Sequence, residues 1–191
     1  NFEHYKFGKP SKVWKYKSET GAGLGFVCRF DLPDGTKQVI PMVYASNGTT
    51  EKFHWMGMDV PRPLYNLDLI SQNPNAKIIV VEGEKTADAV QENFDPSETI
   101  ATCWVGGAQG IKNANWQPLK NRSVTLWPDN DTEQKYGETH MLSGQIKPWN
   151  EQPGNMAMLA INELIDSNSV DWIQNPDGLP HKWDAADNEW E

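Results

Sequence analysis

Two kinds of hydrophobic pattern divide the chain. Between positions 12 and 58, short runs mix aromatic and β-branched residues with polar ones: Val13-Trp-Lys-Tyr16, Gly25-Phe-Val-Cys-Arg-Phe30, Gln38-Val-Ile-Pro-Met-Val-Tyr44 and Lys52-Phe-His-Trp55. Turn signals at Pro33-Asp-Gly35 and Asn47-Gly48 separate the later runs. Asp-Gly and Asn-Gly between such runs are hairpin signals, because glycine and asparagine tolerate the positive φ of tight turns. This part is predicted to be a small antiparallel sheet. Residues Asp59–Asn75 hold three prolines and read as a connector with a short helix near Leu67–Ser71.

From Lys77 the pattern changes to short, continuous apolar runs separated by helical spacing. Strands are expected at 77–81, 99–104, 122–127 and 170–173, with helices at 85–94, about 114–120 and 153–167. Apolar runs of this length suit strands covered on both faces, and strand–helix alternation implies a parallel sheet with right-handed crossovers. In the last helix Pro153 suits the first turn, and Met156, Leu159, Ala160, Glu163 and Leu164 mark the expected inward stripe. About twenty polar residues separate Asp131 from Pro153. A loop of that length in a compact domain carries function or stays unstructured.

Two of these strands end in acid. Lys77-Ile-Ile-Val-Val81 runs into Glu82, and Val124-Thr-Leu-Trp-Pro128 runs into Asp129 and Asp131. Ligands of parallel sheets sit beyond the carboxyl ends of the strands, so two neighbouring strands of this kind would gather three carboxylates in one crevice. Such a cluster repels itself unless a cation is present, and an all-oxygen site is what Mg²⁺ or Mn²⁺ takes. Gly83 is expected to let the chain turn sharply from strand to helix. Glu82 is a candidate metal ligand or general base; the other reading is an acid decorating a helix start. For Asp129 and Asp131 the other reading is a Pro-Asp-Asn-Asp turn.

The net charge of −9 would argue against a nucleic-acid partner, but it is unevenly spread. Residues 1–76 carry nine Lys/Arg against seven Asp/Glu, and residues 77–191 carry eight against nineteen. Cys28 and Cys103 form no CxxC pair, and the four histidines lie at no ligand spacing, so neither a structural zinc nor a disulfide framework is expected. No run approaches a membrane span and no leader opens the chain; a reducing, cytoplasmic setting is expected. Trp14 and Trp55 are candidates to stack on bases, while Trp104, Trp127 and Trp172 lie in strand patterns and read as core. Gly21-Ala-Gly-Leu-Gly25 imitates a nucleotide fingerprint but lacks the helix that should follow.

Glu82-Gly83 followed by Asp129-Asn130-Asp131 resembles the paired acidic motifs of the Toprim domain of bacterial and phage primases, topoisomerases and some nucleases. Thr102-Cys-Trp-Val-Gly-Gly-Ala-Gln-Gly110 is similar to the glycine-bearing loop of primases. Gly178-Leu-Pro-His-Lys-Trp-Asp-Ala-Ala-Asp187 is similar to their late acidic motif. Tyr16, Gly25, Arg29, Asp31, Asp34, Gly35, Lys37 and Pro63-Leu-Tyr-Asn66 resemble the basic subdomain that precedes Toprim in phage and plasmid primases. The resemblance implies an α/β fold, with a Toprim-like parallel sheet flanked by helices over 77–191, an insertion at about 132–152 and a small antiparallel β-rich subdomain over 1–76. It implies catalysis by Glu82, Asp129 and Asp131, with Asp184 and Asp187 joining a site for Mg²⁺ or Mn²⁺. Asp184 and Asp187 could equally cap a C-terminal helix. Lys85, Arg29, Lys112 and Gly107 are the candidates for nucleotide or DNA contacts.

The implied function is synthesis of short RNA primers on single-stranded DNA from ribonucleoside triphosphates, beside a fused or separate replicative helicase. A Toprim nuclease and a non-catalytic replication module are the alternatives. Three departures stand out. The helix after Asp131 begins late, Thr86 stands where many primases have aspartate, and no zinc-binding module is present in the chain.

Overall fold

The computed structural model describes residues 2–46, 48–49, 51–176 and 178–187. Two four-stranded sheets carry the fold. The first is antiparallel in the order β1-β2-β3-β4, from Lys12–Lys17 (β1), Gly23–Asp31 (β2), Lys37–Ser46 (β3) and Glu51–His54 (β4). The second is parallel in the order β6-β5-β7-β8, from Lys77–Val80 (β5), Thr99–Thr102 (β6), Ser123–Leu126 (β7) and Ser169–Trp172 (β8). Helices α1 (Leu67–Gln72), α2 (Glu84–Gln91), α3 (Gly107–Gly110) and α4 (Pro153–Asn162) flank it. The expected α/β class and both sheets are therefore present. Asn47 of the expected Asn-Gly turn lies outside the described residues.

The inner run of β5 and β6 is buried on both faces, as continuous apolar runs require, whereas the edge strand β8 alternates between exposed and half-buried residues. Ile78, Val80, Ile100, Val124 and Leu126 pack with Leu64, Trp104, Met158 and Ile161 on one side. Ile79, Val81, Ala101 and Cys103 face the other way, onto Trp14, Tyr16 and Val27 of the antiparallel sheet. One face of the parallel sheet is thus covered by the first sheet itself. The outer face of the antiparallel sheet is sealed by Cys28, Phe30 and Met42, with Phe2, Phe7, Phe26 and Trp55 against them.

Polar groups also tie the sheets together. The buried Tyr16 hydroxyl donates to Glu84 Oε1 at 2.8 Å, and Trp14 Nε1 and Tyr65 Oη donate to the two oxygens of Asp88, each at 2.8 Å. Burial raises the Glu84 carboxyl above its ordinary value, against the hydrogen bonds that lower it.

Four expectations need correction. No helix spans 114–120: short 3-10 turns at Ile111–Asn113 and Gln117–Leu119 stand there, and Pro118 removes an amide donor that a helix interior would need. The last helix ends at Asn162 rather than 167, and its inward stripe is Gly154, Ala157, Met158 and Ile161. Met156 and Leu164 are exposed. Trp14 is 5% exposed and bonded to Asp88, so its ring is not free to stack on a base, and Trp55 is half-buried and edge-on to Phe30. Gly83 is extended and a side chain there would meet no atom within 4 Å, so the turn into α2 does not require glycine.

Candidate functional site

The order β6-β5-β7-β8 reverses direction between β5 and β7, since the chain leaves β5 to one side and returns on the other. This switch point is where a crevice opens in a parallel sheet. Glu82 follows β5 and Asp129 follows β7, so the topology places both there. They touch: the Asp129 backbone N–H donates to Glu82 Oε1 at 3.0 Å. A Cβ on Gly154 would fall 2.7 Å from both Glu82 Oε1 and the Asp129 carbonyl oxygen, so only glycine lets α4 start against this pair.

The late acidic motif comes back to the same place by backbone pairing. Asn130 N–H donates to Trp183 O at 2.8 Å, and Lys182 N–H donates to Asn130 O at 2.9 Å. Ala185 is buried against α2, and Asp184 lies beside Asp129 in the crevice. Asp184 and Asp187 also cap their own 3-10 turn. Asp184 Oδ1 accepts from Ala186 N–H at 2.8 Å, and Asp187 Oδ2 accepts from Asp184 N–H at 3.2 Å.

Charge repulsion is written into this crevice. Burial raises the Asp129 carboxyl to about 8, and the charges of Glu82, Asp184 and Asp131 add to the rise, while Lys37 opposes it. Glu82 is raised mainly by burial, offset by the Asp129 amide and reinforced by Asp131 and Asp184. Lys85 neutralises part of the excess, with Nζ 3.1 Å from Asp187 and 3.4 Å from Asp184. Burial alone would lower its ammonium, but the two aspartates outweigh that and raise it. Lys85 is thus paired with acid instead of standing free for phosphate.

The crevice is a cleft of about 480 Å³ between the two sheets. Glu82, Asp129 and Asp184 line its acidic side, and Arg29, Lys37, Arg62 and Lys85 bring positive charge to it. Gly107 lines it as expected. Lys112 is exposed on a 3-10 turn and does not line it. Arg29 also donates to Asp31 at 2.7 Å. Asp131 lies beyond the cleft, in a second pocket on the far side of Asp129, where its Oδ2 accepts the Gly154 N–H at 3.2 Å. Asp129 therefore borders both spaces, and Asp131 only the second. Among the described residues, no three His, Cys, Asp or Glu side chains are gathered as a ready metal cage. The donor set is nonetheless all carboxylate, and its mutual repulsion is what a hard cation relieves.

Arg62 was missed by the sequence reading. Its backbone is clamped beside the end of β6: its N–H donates to Asn113 O, and its carbonyl accepts from Asn115 N–H, both at 2.7 Å. Its Nε is buried without an acceptor, and among the described residues it makes no ion pair. An unsatisfied buried donor costs on the order of 1–3 kcal/mol, more when charged, unless something outside the fold accepts from it. Gly106 stands against it at φ +99°, and a Cβ there would sit 3.1 Å from Arg62 Nη1. Gly106, in the glycine-bearing loop, thus makes room for the guanidinium.

Residues 6–130 match the family described as a domain of unknown function, DUF6371. The chain belongs to this family. The match takes in both sheets as far as the loop after β7, with Glu82 and Asp129, and stops before Asp131, the insertion and the late acidic motif. No curated protein matches the sequence. The fold is similar to the crystal structure of the primase fragment of the bacteriophage T7 primase-helicase protein, at 16% identity and a TM-score of 0.51 over 91% of this chain. The chain spans 55% of the length of that fragment. At this identity the likeness speaks for a primase-like fold. No helix among the described residues is long and apolar enough to cross a membrane.

Proposed function

We propose that this protein is the Toprim-containing RNA-polymerase part of a phage- or plasmid-type DNA primase. One observation carries the reading: acid at the ends of β5 and β7 faces Arg62, Lys37 and Arg29 across a single cleft at the switch point. The primase-like fold supports it. The division at about residue 76 and the insertion at 132–152 belong to the same reading.

Phosphoryl transfer asks little covalent work of a protein beyond positioning and charge stabilisation. The guanidinium of Arg62 and the ammonium of Lys37 would hold the triphosphate of a ribonucleotide. A 3′-oxygen then attacks the α-phosphorus, pyrophosphate leaves with the bonding pair, and Glu82 is placed to take the hydroxyl proton. A divalent cation, Mg²⁺ or Mn²⁺, would supply neutralisation of the negative charge developing on the phosphoryl oxygens. Asp129 with Glu82 or Asp184 would hold it, and Asp131 and Asp187 would support the site from either side. Basic residues of the antiparallel sheet would track the phosphates of a single-stranded template. A replicative helicase, fused or separate, is the partner this reading implies, in the cytoplasm of a bacterium or infected cell.

The test uses the chain with single-stranded DNA, four ribonucleotides and Mg²⁺ or Mn²⁺. Labelled oligoribonucleotides that vanish in Asp129→Ala support the primase. Shortened DNA without added nucleotides replaces it with a Toprim nuclease. An Asp129→Ala protein that still serves replication in cells supports a non-catalytic module.

A further inference from the structure

Asp129 is a wall between two spaces of opposite character. On its far side lies a pocket of about 610 Å³, formed by the end of β7, the outer side of α4 and the segment after β8. It is lined by Trp149, Trp172, Asn155, Asn162 and Gln174 along with Asp131, and no lysine or arginine lines it. Phosphates therefore have the cationic cleft available, while the only charged side chains lining the pocket are carboxylates. An uncharged, flat, hydrogen-bonding group suits the pocket better.

The pocket also has a prepared platform. Trp149 and Trp172 lie with ring centroids 5.8 Å apart at 55°, and Trp149 is 54% exposed. The backbone that carries this half-bare indole is tied down. Asn155 Nδ2 donates to Trp149 O at 3.0 Å. The buried Gln152 amide donates to Lys147 O at 2.7 Å and accepts from Gln134 N–H at 3.2 Å, tying the insertion to the start of α4. Tyr136 Oη donates to Glu151 at 2.6 Å and fastens its other end. Indole faces stack on any base, and asparagine and glutamine amides pair with base edges.

We propose that this pocket receives the base of the nucleotide whose 3′-hydroxyl attacks. The proposal rests on the primer-synthesis reading and assigns a second nucleotide site to it. Joining two nucleotides requires a place on each side of the reacting phosphorus. The partner that brings the triphosphate needs cations; the partner that brings a hydroxyl does not. Asp129 borders both spaces, so the two reacting groups would meet beside it. The insertion at 132–152 thereby becomes a wall of the site, built by residues beyond the stretch that matches the family.

The test is calorimetric titration of the whole chain with two probes, the dinucleoside monophosphate ApA and inorganic tripolyphosphate. Trp149→Ala should weaken ApA about 5- to 100-fold and leave tripolyphosphate unchanged, with Trp149→Phe retaining most of the affinity. Arg62→Ala should do the reverse. Equal ApA binding by wild type and Trp149→Ala, or no ApA binding by wild type at millimolar concentration, overturns the pocket. If Trp149→Ala loses both probes, Asn162→Ala decides, and unchanged ApA binding there also overturns it. Failure of the parent reading looks different: tripolyphosphate binding indifferent to Arg62 and no primers made, with a Trp149-dependent ApA site still standing.

Discussion

The two sheets of this protein use their strands for opposite purposes. The central strands of the parallel sheet hide their side chains and present function at their ends, where Glu82 and Asp129 emerge. The antiparallel sheet works along its length. One face is sealed by aromatic packing, and the other meets the parallel sheet and lends Arg29 and Lys37 to the cleft. The acid is therefore fixed by backbone geometry, whereas the base is carried on long side chains across a sheet–sheet contact. Damage to the first region should abolish chemistry, and damage to the second should weaken binding.

The largest effect tests that division at the acidic side. Asp129→Asn should reduce primer synthesis by about 10³-fold or more, comparable to removing a charge-stabilising group from a phosphoryl-transfer site, with the fold intact by circular dichroism. Next comes Arg62→Ala, which should raise KM for ribonucleotides about 10- to 100-fold with little change in kcat, as loss of uniform binding requires. A kcat effect as large as that of Asp129→Asn would erase the distinction between the regions. Gly154→Ala should destabilise the protein by about 1–3 kcal/mol in denaturant titration, because its methyl group collides with Asp129 and Glu82. Tyr16→Phe leaves the buried Glu84 without its donor and should cost about 1–2 kcal/mol in the same experiment.

Much of this was legible in the chain, for identifiable reasons. Apolar runs ending in acid mark strand ends well, because burial on both faces leaves no alternation to confuse them, and Glu82 and Asp129 do meet. The phase of α4 differs from expectation because two stripes are present: Met156–Leu159–Ala160–Glu163–Leu164 and Gly154–Ala157–Met158–Ile161 both have helical spacing. Only the second contains the glycine that the close approach to Asp129 demands. Trp14 looked like a stacking residue because its partner, Asp88, lies 74 positions away. Arg62 sat unnoticed among the prolines of the connector. Those prolines were the available signal, since a connector stiffened on both sides of a cation holds it in place.

A further effect is one of pH. Asp129 is raised in the folded protein, so its contribution to stability is complete below its unfolded value near about 4 and is lost as pH rises through about 8. Asp129→Asn removes that loss. Its melting temperature should exceed that of wild type by a margin that grows between pH 5 and pH 9, at about 2–4 °C for each kcal/mol relieved. A margin independent of pH would mean that neither burial nor the neighbouring acids raise Asp129.

Repulsion at the ends of β5 and β7 is the claim on which the rest depends, and a cation is its direct probe. Calorimetric titration of metal-free protein with Mn²⁺ at pH 7, in two buffers of different ionisation enthalpy, measures binding and proton release together. The account predicts Mn²⁺ binding that releases protons in wild type and is lost in both Glu82→Gln and Asp129→Asn. Binding of equal strength in all three proteins, with no proton released, would contradict it.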